Sequence, residues 1–246
     1  MQFDVISIFP EMFQVIHQGG VVGRALEKKI FSLNTWNPRD FTNDSRKTVD
    51  DRAYGGGPGM VMMVEPLEKT LLAVKKSHVS AGPVLLLSPQ GKTFNQQMAL
   101  DLLNNPQITM VCGRYEAIDQ RFIERNVDIQ VSLGDFVLSG GEIPAMAIID
   151  AMVRLIPGVL GDKDSALQDS FMDGLLDCPH FTRPEIYDNL SVPGVLLSGN
   201  HAIIEGWRRK QSLLQTQKNR PDLIEMARKK GLLSSTDELF LKNILT

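Results

Sequence analysis

The sequence predicts an α/β protein built on a parallel sheet, completed by a small helical domain. Short apolar runs alternate with helical stretches from residue 65 to residue 155, the pattern of a parallel sheet covered on both faces. That alternation ends at Pro157-Gly158. Beyond it the charge changes sign. Residues 161–190 hold seven acids against two bases, a net of −5, and residues 201–230 hold eight bases against three acids, a net of +5. The expected organisation is an α/β domain at 1–160, a flexible linker at 161–174 and a helical, basic domain at 175–246.

The elements follow from local pattern. Residues 2–8 are β-prone and stop at Pro10, with helical patterns at 11–17 and 21–30 and a strand at 31–36. Residues 39–59 are polar and then glycine-rich, and no regular element fits them; a loop this long in a folded domain is functional or disordered. Helix 65–77 then precedes strand 83–88, helix 94–104 precedes strand 108–112, and helix 117–126 precedes strand 128–132. Helix 142–155 closes the series, and residues 201–230 are helical with breaks near Pro221 and Gly231.

Composition bounds the function. With 246 residues, 43% of them hydrophobic and 22% charged, the chain is long enough to bury a core and not polar enough to be disordered. The net charge of −3 excludes a global basic field, so any nucleic acid must be held by a local patch. Cys112 and Cys178 have no zinc-site spacing, and two thiols in a chain this long suit a reducing compartment. The N-terminal residues lack a basic, apolar leader and no run of 18 apolar residues occurs, so the expectation is a cytoplasmic protein without a membrane partner.

Five motifs bear on chemistry. Ser88-Pro89-Gln90-Gly91-Lys92-Thr93 follows a strand and resembles the end of a phosphate-binding P-loop, but the first glycine that motif requires is replaced by Leu86. Gly55-Gly56-Gly57-Pro58-Gly59, beside Asp50, Asp51 and Arg52, is either a ligand loop or a flexible one. Ser132–Gly141 lies between a strand and a helix, where α/β proteins bind ligands, and carries three glycines that expose backbone N–H and C=O groups. Cys112-Gly113-Arg114-Tyr115-Glu116 is another strand end, in which Arg114 and Glu116 are either functional or a salt-bridged helix start. The acidic stretch from Asp169 to Pro184 includes His180, and nothing in its spacing distinguishes one acid from the next.

Taken together, IFPEMF (8–13), DDRAYGGGPGM (50–60), LSPQG (87–91), CGRYE (112–116), GDFVLSGGEIPAM (134–146), DSFMDGLLDCPHFTRPE (169–185), SGNHA (198–202) and WRRKQS (207–212) resemble the bacterial tRNA (guanine-N1)-methyltransferases. These belong to the knotted SPOUT methyltransferases. The resemblance implies that segments 87–91, 112–116 and 132–141 form a deep trefoil knot, a rare exception to the usual chain connections. It also implies an S-adenosyl-L-methionine site at a homodimer interface and a tRNA substrate methylated on the guanosine at position 37. Pro89, Gly113, Leu133, Gly134, Asp135, Phe136, Val137, Leu138, Gly140 and Gly141 would seat the methyl donor. Gly59, Ser170, His180, Arg183 and Arg208 would contact the RNA. Magnesium dependence is implied by the resemblance only, and no metal-ligating residue is assigned. The sequence departs from the family at Ala117, where glycine is usual, and at Phe136, where tyrosine is common.

The implied reaction needs a base for guanine N1–H, stabilisation of charge on O6, and in-line alignment of nitrogen, methyl and sulfur. Asp169 is the expected base, supplied by the second subunit. An unperturbed aspartate has a pKa of about 3.9, so desolvation on closure of the 161–174 segment is part of the expectation. Arg154 is expected to stabilise O6, and Glu116 to hold the guanine edge. Two alternatives remain: an NTPase built on Gly91-Lys92-Thr93, and a non-enzymatic RNA-binding protein that uses only the basic domain.

Overall fold

Phe3, Val5 and Ile6 are fully buried, and Gln2–Ile6 forms the strand β1. The computed structural model describes residues 1–79, 81–161, 165–166 and 168–244. The chain divides into two compact units, Met1–Gly161 and Asp162–Thr246.

In the first unit β1 is followed by a 3-10 turn at Pro10–Phe13 that runs into α1 (Gln14–His17), then by α2 (Gly20–Glu27) and β2 (Ser32–Trp36). The polar segment after it is less irregular than its composition predicts. Asn37 caps a 3-10 turn at Pro38–Phe41 by accepting from the Arg39 amide, and Asp50–Asp51 (β3) pairs with Val61–Met62 (β4). Then come α3 (Val64–Lys76), β5 (Val84–Thr93), α4 (Gln96–Leu102), β6 (Gln107–Cys112), β7 (Ala117–Ile118), α5 (Gln120–Asn126), β8 (Ile129–Ser132) and α6 (Glu142–Val153). Side-chain oxygens of Asn95 and Asp119 cap α4 and α5.

Five strands form one parallel sheet in the order β2-β1-β6-β5-β8. Period-two alternation divides its core between two faces. Leu85, Leu87, Met110 and Cys112 pack with Ala145, Ile148 and Ile149 of α6, whereas Val84, Leu86 and Val111 pack with Leu67, Leu71 and Val74 of α3 and Phe122 of α5. A sheet buried on both faces leaves its strand ends as the place where backbone can meet a ligand.

Two expectations are corrected here. The helix expected over 117–126 starts at Gln120, because Ala117–Ile118 pairs in parallel with Val61–Met62. The strand expected to end at residue 88 continues to Thr93: Leu87 and Lys92 both face Val131, so residues 88–91 loop out and the strand re-enters the sheet. Gly91 permits this, since a Cβ there would lie 2.3 Å from backbone atoms of Gln130 and Val131. Lys92 and Thr93 are therefore strand residues, and α4 begins only at Gln96. The helix N-terminus that a P-loop lysine requires is absent, which removes the structural basis of the NTPase reading.

The second unit contains a hairpin, β9 (Ile186–Tyr187) with β10 (Leu190–Ser191), whose turn residues Asp188 and Asn189 both have positive φ as a two-residue hairpin turn demands. It continues with α7 (Gly194–Leu197), α8 (His201–Asn219), α9 (Pro221–Lys229) and α10 (Ser235–Ile244). Pro221 opens α9 at a position where its missing N–H costs nothing, and Gly231 follows α9 at φ +67°; both breaks lie where the sequence puts them. Leu175, Leu213, Ile224, Ala227 and Leu241 form its core. Of the predicted linker 161–174, positions 162–164 and 167 lie outside the described residues. Among the described residues no helix is long and apolar enough to cross a membrane.

Candidate active site

The excursion at residues 88–91 within β5 and the loops at the carboxyl ends of β6 and β8 enclose a cleft of about 370 Å³. Nine of the ten residues expected to seat a methyl donor line it: Pro89, Gly113, Leu133, Gly134, Phe136, Val137, Leu138, Gly140 and Gly141. Glu116 lines it as well, together with Ser88, Gln90, Ile118, Gln120 and Pro144, to which the sequence assigned no role. Asp135 is exposed and is not a lining residue.

Backbone hydrogen bonds set the shape of the cleft. The Gly141 amide donates to the Gly113 carbonyl at 3.0 Å, joining the β6 and β8 loops. A Cβ at Gly141 would sit 2.7 Å from Cys112 Cα, so this approach requires glycine. At Gly134, φ is +149°, and the Ser132 hydroxyl accepts the Gly134 amide at 3.1 Å. Gly113 is different. A Cβ there would make only ordinary contact with Ile118 at 3.6 Å, so nothing in the chain itself forbids a side chain, and the space it leaves belongs to the cleft.

One buried carboxylate at the start of α6 ties two strand ends together. Glu142 is fully buried in the first turn of α6. Its Oε1 accepts the Ser7 hydroxyl at 2.6 Å, and its Oε2 accepts Arg114 Nε at 2.9 Å. Arg114 also donates to the Ser139 carbonyl at 3.2 Å and lies 4.6 Å from the centre of the Phe9 ring, within cation–π range. Beside this cluster the Cys112 thiol is buried, and burial pushes its pKa well up, with the Glu142 charge acting the same way; it is no nucleophile.

The glycine-rich loop meets the cleft through Glu116. The Glu116 amide donates to the Met60 carbonyl at 3.0 Å, and a Cβ at Gly59 would collide with Glu116 Cγ at 2.4 Å. The expected substrate residue Gly59 and the expected catalytic residue Glu116 are thus adjacent. The positive φ in this segment falls on Tyr115, at +63°, and Ala117 is an ordinary strand residue, so alanine there costs no backbone strain. Tyr115 accepts from Arg39 at 3.2 Å, and burial together with a hydrogen bond to Asp50 raises its phenol pKa.

Arg154 is not brought to this cleft. It caps the far end of α6, whose first turn borders the cleft. At about 1.5 Å per residue it stands roughly 20 Å from Gly141.

The remaining expected residues belong to the second unit. There Asp169 and Arg208 line a groove of about 950 Å³ with Asp173, Asp177, His201 and Arg209. Local bonds hold the Asp169 segment. The Ser170 hydroxyl accepts the Asp177 amide at 2.9 Å, the Phe171 amide donates to the Leu175 carbonyl at 2.7 Å, and the Leu176 amide donates to the Thr216 hydroxyl at 2.9 Å. His180 Nε2 lies 2.8 Å from Asp177 Oδ2. Burial opposes the ionisation of Asp177, but His180 and the Cys178 amide outweigh it and hold its pKa down. Arg183 and Arg208 are exposed. Arg209 is not available to a ligand in the same way, because its guanidinium donates to Asp237 at 3.0 Å and to Asp173.

Comparison with known proteins covers nearly the whole chain. The sequence model of the family described as tRNA (Guanine-1)-methyltransferase TrmD matches residues 1–226. A tRNA (guanine-N(1)-)-methyltransferase of Polynucleobacter necessarius subsp. necessarius (strain STIR1) is 61% identical, over 99% of this chain and 100% of its own length. Those of Ralstonia nicotianae (strain ATCC BAA-1114 / GMI1000), 60% identical over 98% of this chain and 92% of its own, and Burkholderia ambifaria (strain MC40-6), 55% identical over 99% and 94%, are similar to it as well. With a family match over residues 1–226 and relatives covering nearly every position, the chain that builds this strand-end cleft belongs to the tRNA (guanine-1)-methyltransferase family.

Proposed function

We propose that this chain transfers the methyl group of S-adenosyl-L-methionine to N1 of the guanosine at position 37 of tRNA. The observation that carries the reading is the strand-end cleft, lined by nine of the ten residues expected to seat the donor. Its volume of about 370 Å³ falls within the usual range of small-molecule sites, and Gly113 leaves room that no residue of the chain fills. When bound, the donor supplies an electrophilic methyl on a sulfonium and needs no metal. The backbone amides and carbonyls of residues 133–141 orient it, and Leu133, Leu138 and Ile118 keep water from it.

Asp169 removes the N1 proton, Arg154 opposes charge at O6, and Glu116 holds the guanine edge. In this reading the working enzyme is a cytoplasmic homodimer. Asp169 comes from the second copy, and Arg154, which stands at the far end of α6 from its own cleft, is proposed to act beside it. The segments 87–91, 112–116 and 132–141 are proposed to form the trefoil knot. Gly59, Ser170, His180, Arg183 and Arg208 bind the RNA.

Magnesium dependence is carried over from the resemblance, and no residue of the chain is assigned to hold the ion. Among the described residues the close group of donor atoms is Asp177, Cys178 and His180, and a thiol and an imidazole do not suit a hard cation. The test is direct. Mass spectrometry of tRNA treated with the enzyme and labelled donor should place the methyl on N1 of guanosine 37. Asp169→Asn should lower turnover about 10²–10⁴-fold. Unmodified tRNA would overturn the reading, and retention of most activity by Asp169→Asn would remove that residue as the base.

A further inference from the structure

Arg114 lines the cleft, yet its side chain is committed elsewhere. Nε donates to Glu142 at 2.9 Å, and one terminal nitrogen donates to the Ser139 carbonyl at 3.2 Å and reaches the Ser139 hydroxyl at 3.4 Å. The other terminal nitrogen contacts Met12 Sδ at 3.4 Å, and the guanidinium carbon lies 4.6 Å from the centre of the Phe9 ring. A Cβ at Gly140 would fall 2.2 Å from Arg114 Nε, so the side chain lies flat against the Ser139–Gly141 turn. On its other side Glu142 is fixed by the Ser7 hydroxyl at 2.6 Å. The three residues come from the ends of β1 and β6 and from the start of α6.

We propose that Arg114, held by Glu142 and Ser7, is a positioning residue that clamps the Ser139–Gly141 turn in its ligand-binding shape and does not itself pair with the donor's carboxylate. The inference rests on the reading of the cleft as the S-adenosyl-L-methionine site. Its physical basis is the geometry of the guanidinium. A planar fork serves the Glu142 carboxylate with one edge and the Ser139 carbonyl with another, whereas the ammonium of a lysine is a single point donor. Glu142 needs the clamp in turn, because a fully buried carboxylate without its arginine would carry an uncompensated charge. Arg114 therefore joins donor affinity to the rigidity of the loop.

The experiment is calorimetry on the full-length protein with two ligands, S-adenosyl-L-methionine and 5′-methylthioadenosine. The second keeps the nucleoside and lacks the amino-acid carboxylate. Arg114→Gln should weaken both ligands by the same factor, at least about tenfold, as expected for losing hydrogen bonds to a charged group. Arg114→Lys should recover part of that loss for both. In steady state the KM for S-adenosyl-L-methionine should rise while the KM for tRNA stays constant. Ser7→Ala removes only a hydroxyl and provides the measurement should the arginine variants not fold; it should weaken both ligands by roughly threefold. Loss confined to S-adenosyl-L-methionine would show a direct carboxylate contact and overturn the proposal, and so would unchanged affinity for both ligands. If the wild-type protein binds neither ligand, the reading of the cleft fails instead.

Discussion

The Gly141 amide donates to the Gly113 carbonyl at 3.0 Å, and this bond holds the loop after β8 against the end of β6. The approach leaves no room for a methyl group, since a Cβ on Gly141 would lie 2.7 Å from Cys112 Cα, a backbone atom that cannot rotate away. Gly141→Ala should therefore destabilise the protein by about 1–3 kcal/mol, the usual cost of overpacking. Chemical denaturation checks the loss of stability. Calorimetry with S-adenosyl-L-methionine should show weakened binding in whatever protein folds.

Neighbouring arginines on α8 should behave differently. Arg208 is exposed in the groove with Asp169, while Arg209 is paired with Asp237 and Asp173. Arg208→Ala should weaken tRNA binding and lower the slope of log affinity against log salt by about 1, with unchanged melting. Arg209→Ala should cost on the order of 1–2 kcal/mol of stability in the second unit, discounted for its partial exposure. Filter binding across a salt series and thermal melting of both variants separate the two roles.

The Asp237 carboxylate makes acid stability a property of the same pair. Burial pushes its pKa up, but hydrogen bonds from Arg209 and Ser234 outweigh that and hold it below the ordinary 3.8. A carboxylate whose folded pKa is depressed contributes stability that is present above the unfolded value and lost as pH falls through the folded one. Thermal melting should thus fall below about pH 3.8 with a contribution that Asp237→Asn abolishes. Parallel curves for wild type and variant would assign the acid sensitivity to other groups.

Ala117 offers a substitution with a predicted sign. It is a strand residue paired with Val61, away from the positive φ at Tyr115. Ala117→Gly, which restores the residue usual in the family, should gain nothing in backbone strain and should lose roughly 0.5–1 kcal/mol through chain entropy. Urea midpoints of the two proteins decide this.

Much of the sheet is legible in the sequence, because β1, β5 and β6 carry apolar residues on both faces and because α4 and α5, with ordinary side-chain caps, separate β5, β6 and β8. The cleft is legible as strand-end loops rich in glycine. Two features escape local pattern because long-range contacts create them. The two-residue strand Ala117–Ile118 exists only through its pairing with Val61–Met62, and the excursion at 88–91 is defined by two residues sharing Val131 as partner. Arg114 and Glu142 read separately as charged residues near a helix start; only the fold joins them. Asp169 stands among several acids, and the family resemblance, with no periodicity behind it, distinguishes it.

The link from Ser7 to Glu142 spans 135 residues, is fully buried, and reaches the cleft wall through Arg114. Contacts of such sequence separation form late, since a long loop must close before they reward it. A chain growing from its N-terminus on a ribosome would have made β1 and β6 well before their common anchor emerged. Donor affinity in nascent chains of increasing length should thus arise in one step after α6 is complete. Until that length is reached, one apolar face of the five-stranded parallel sheet lacks its cover from α6 and is open to association.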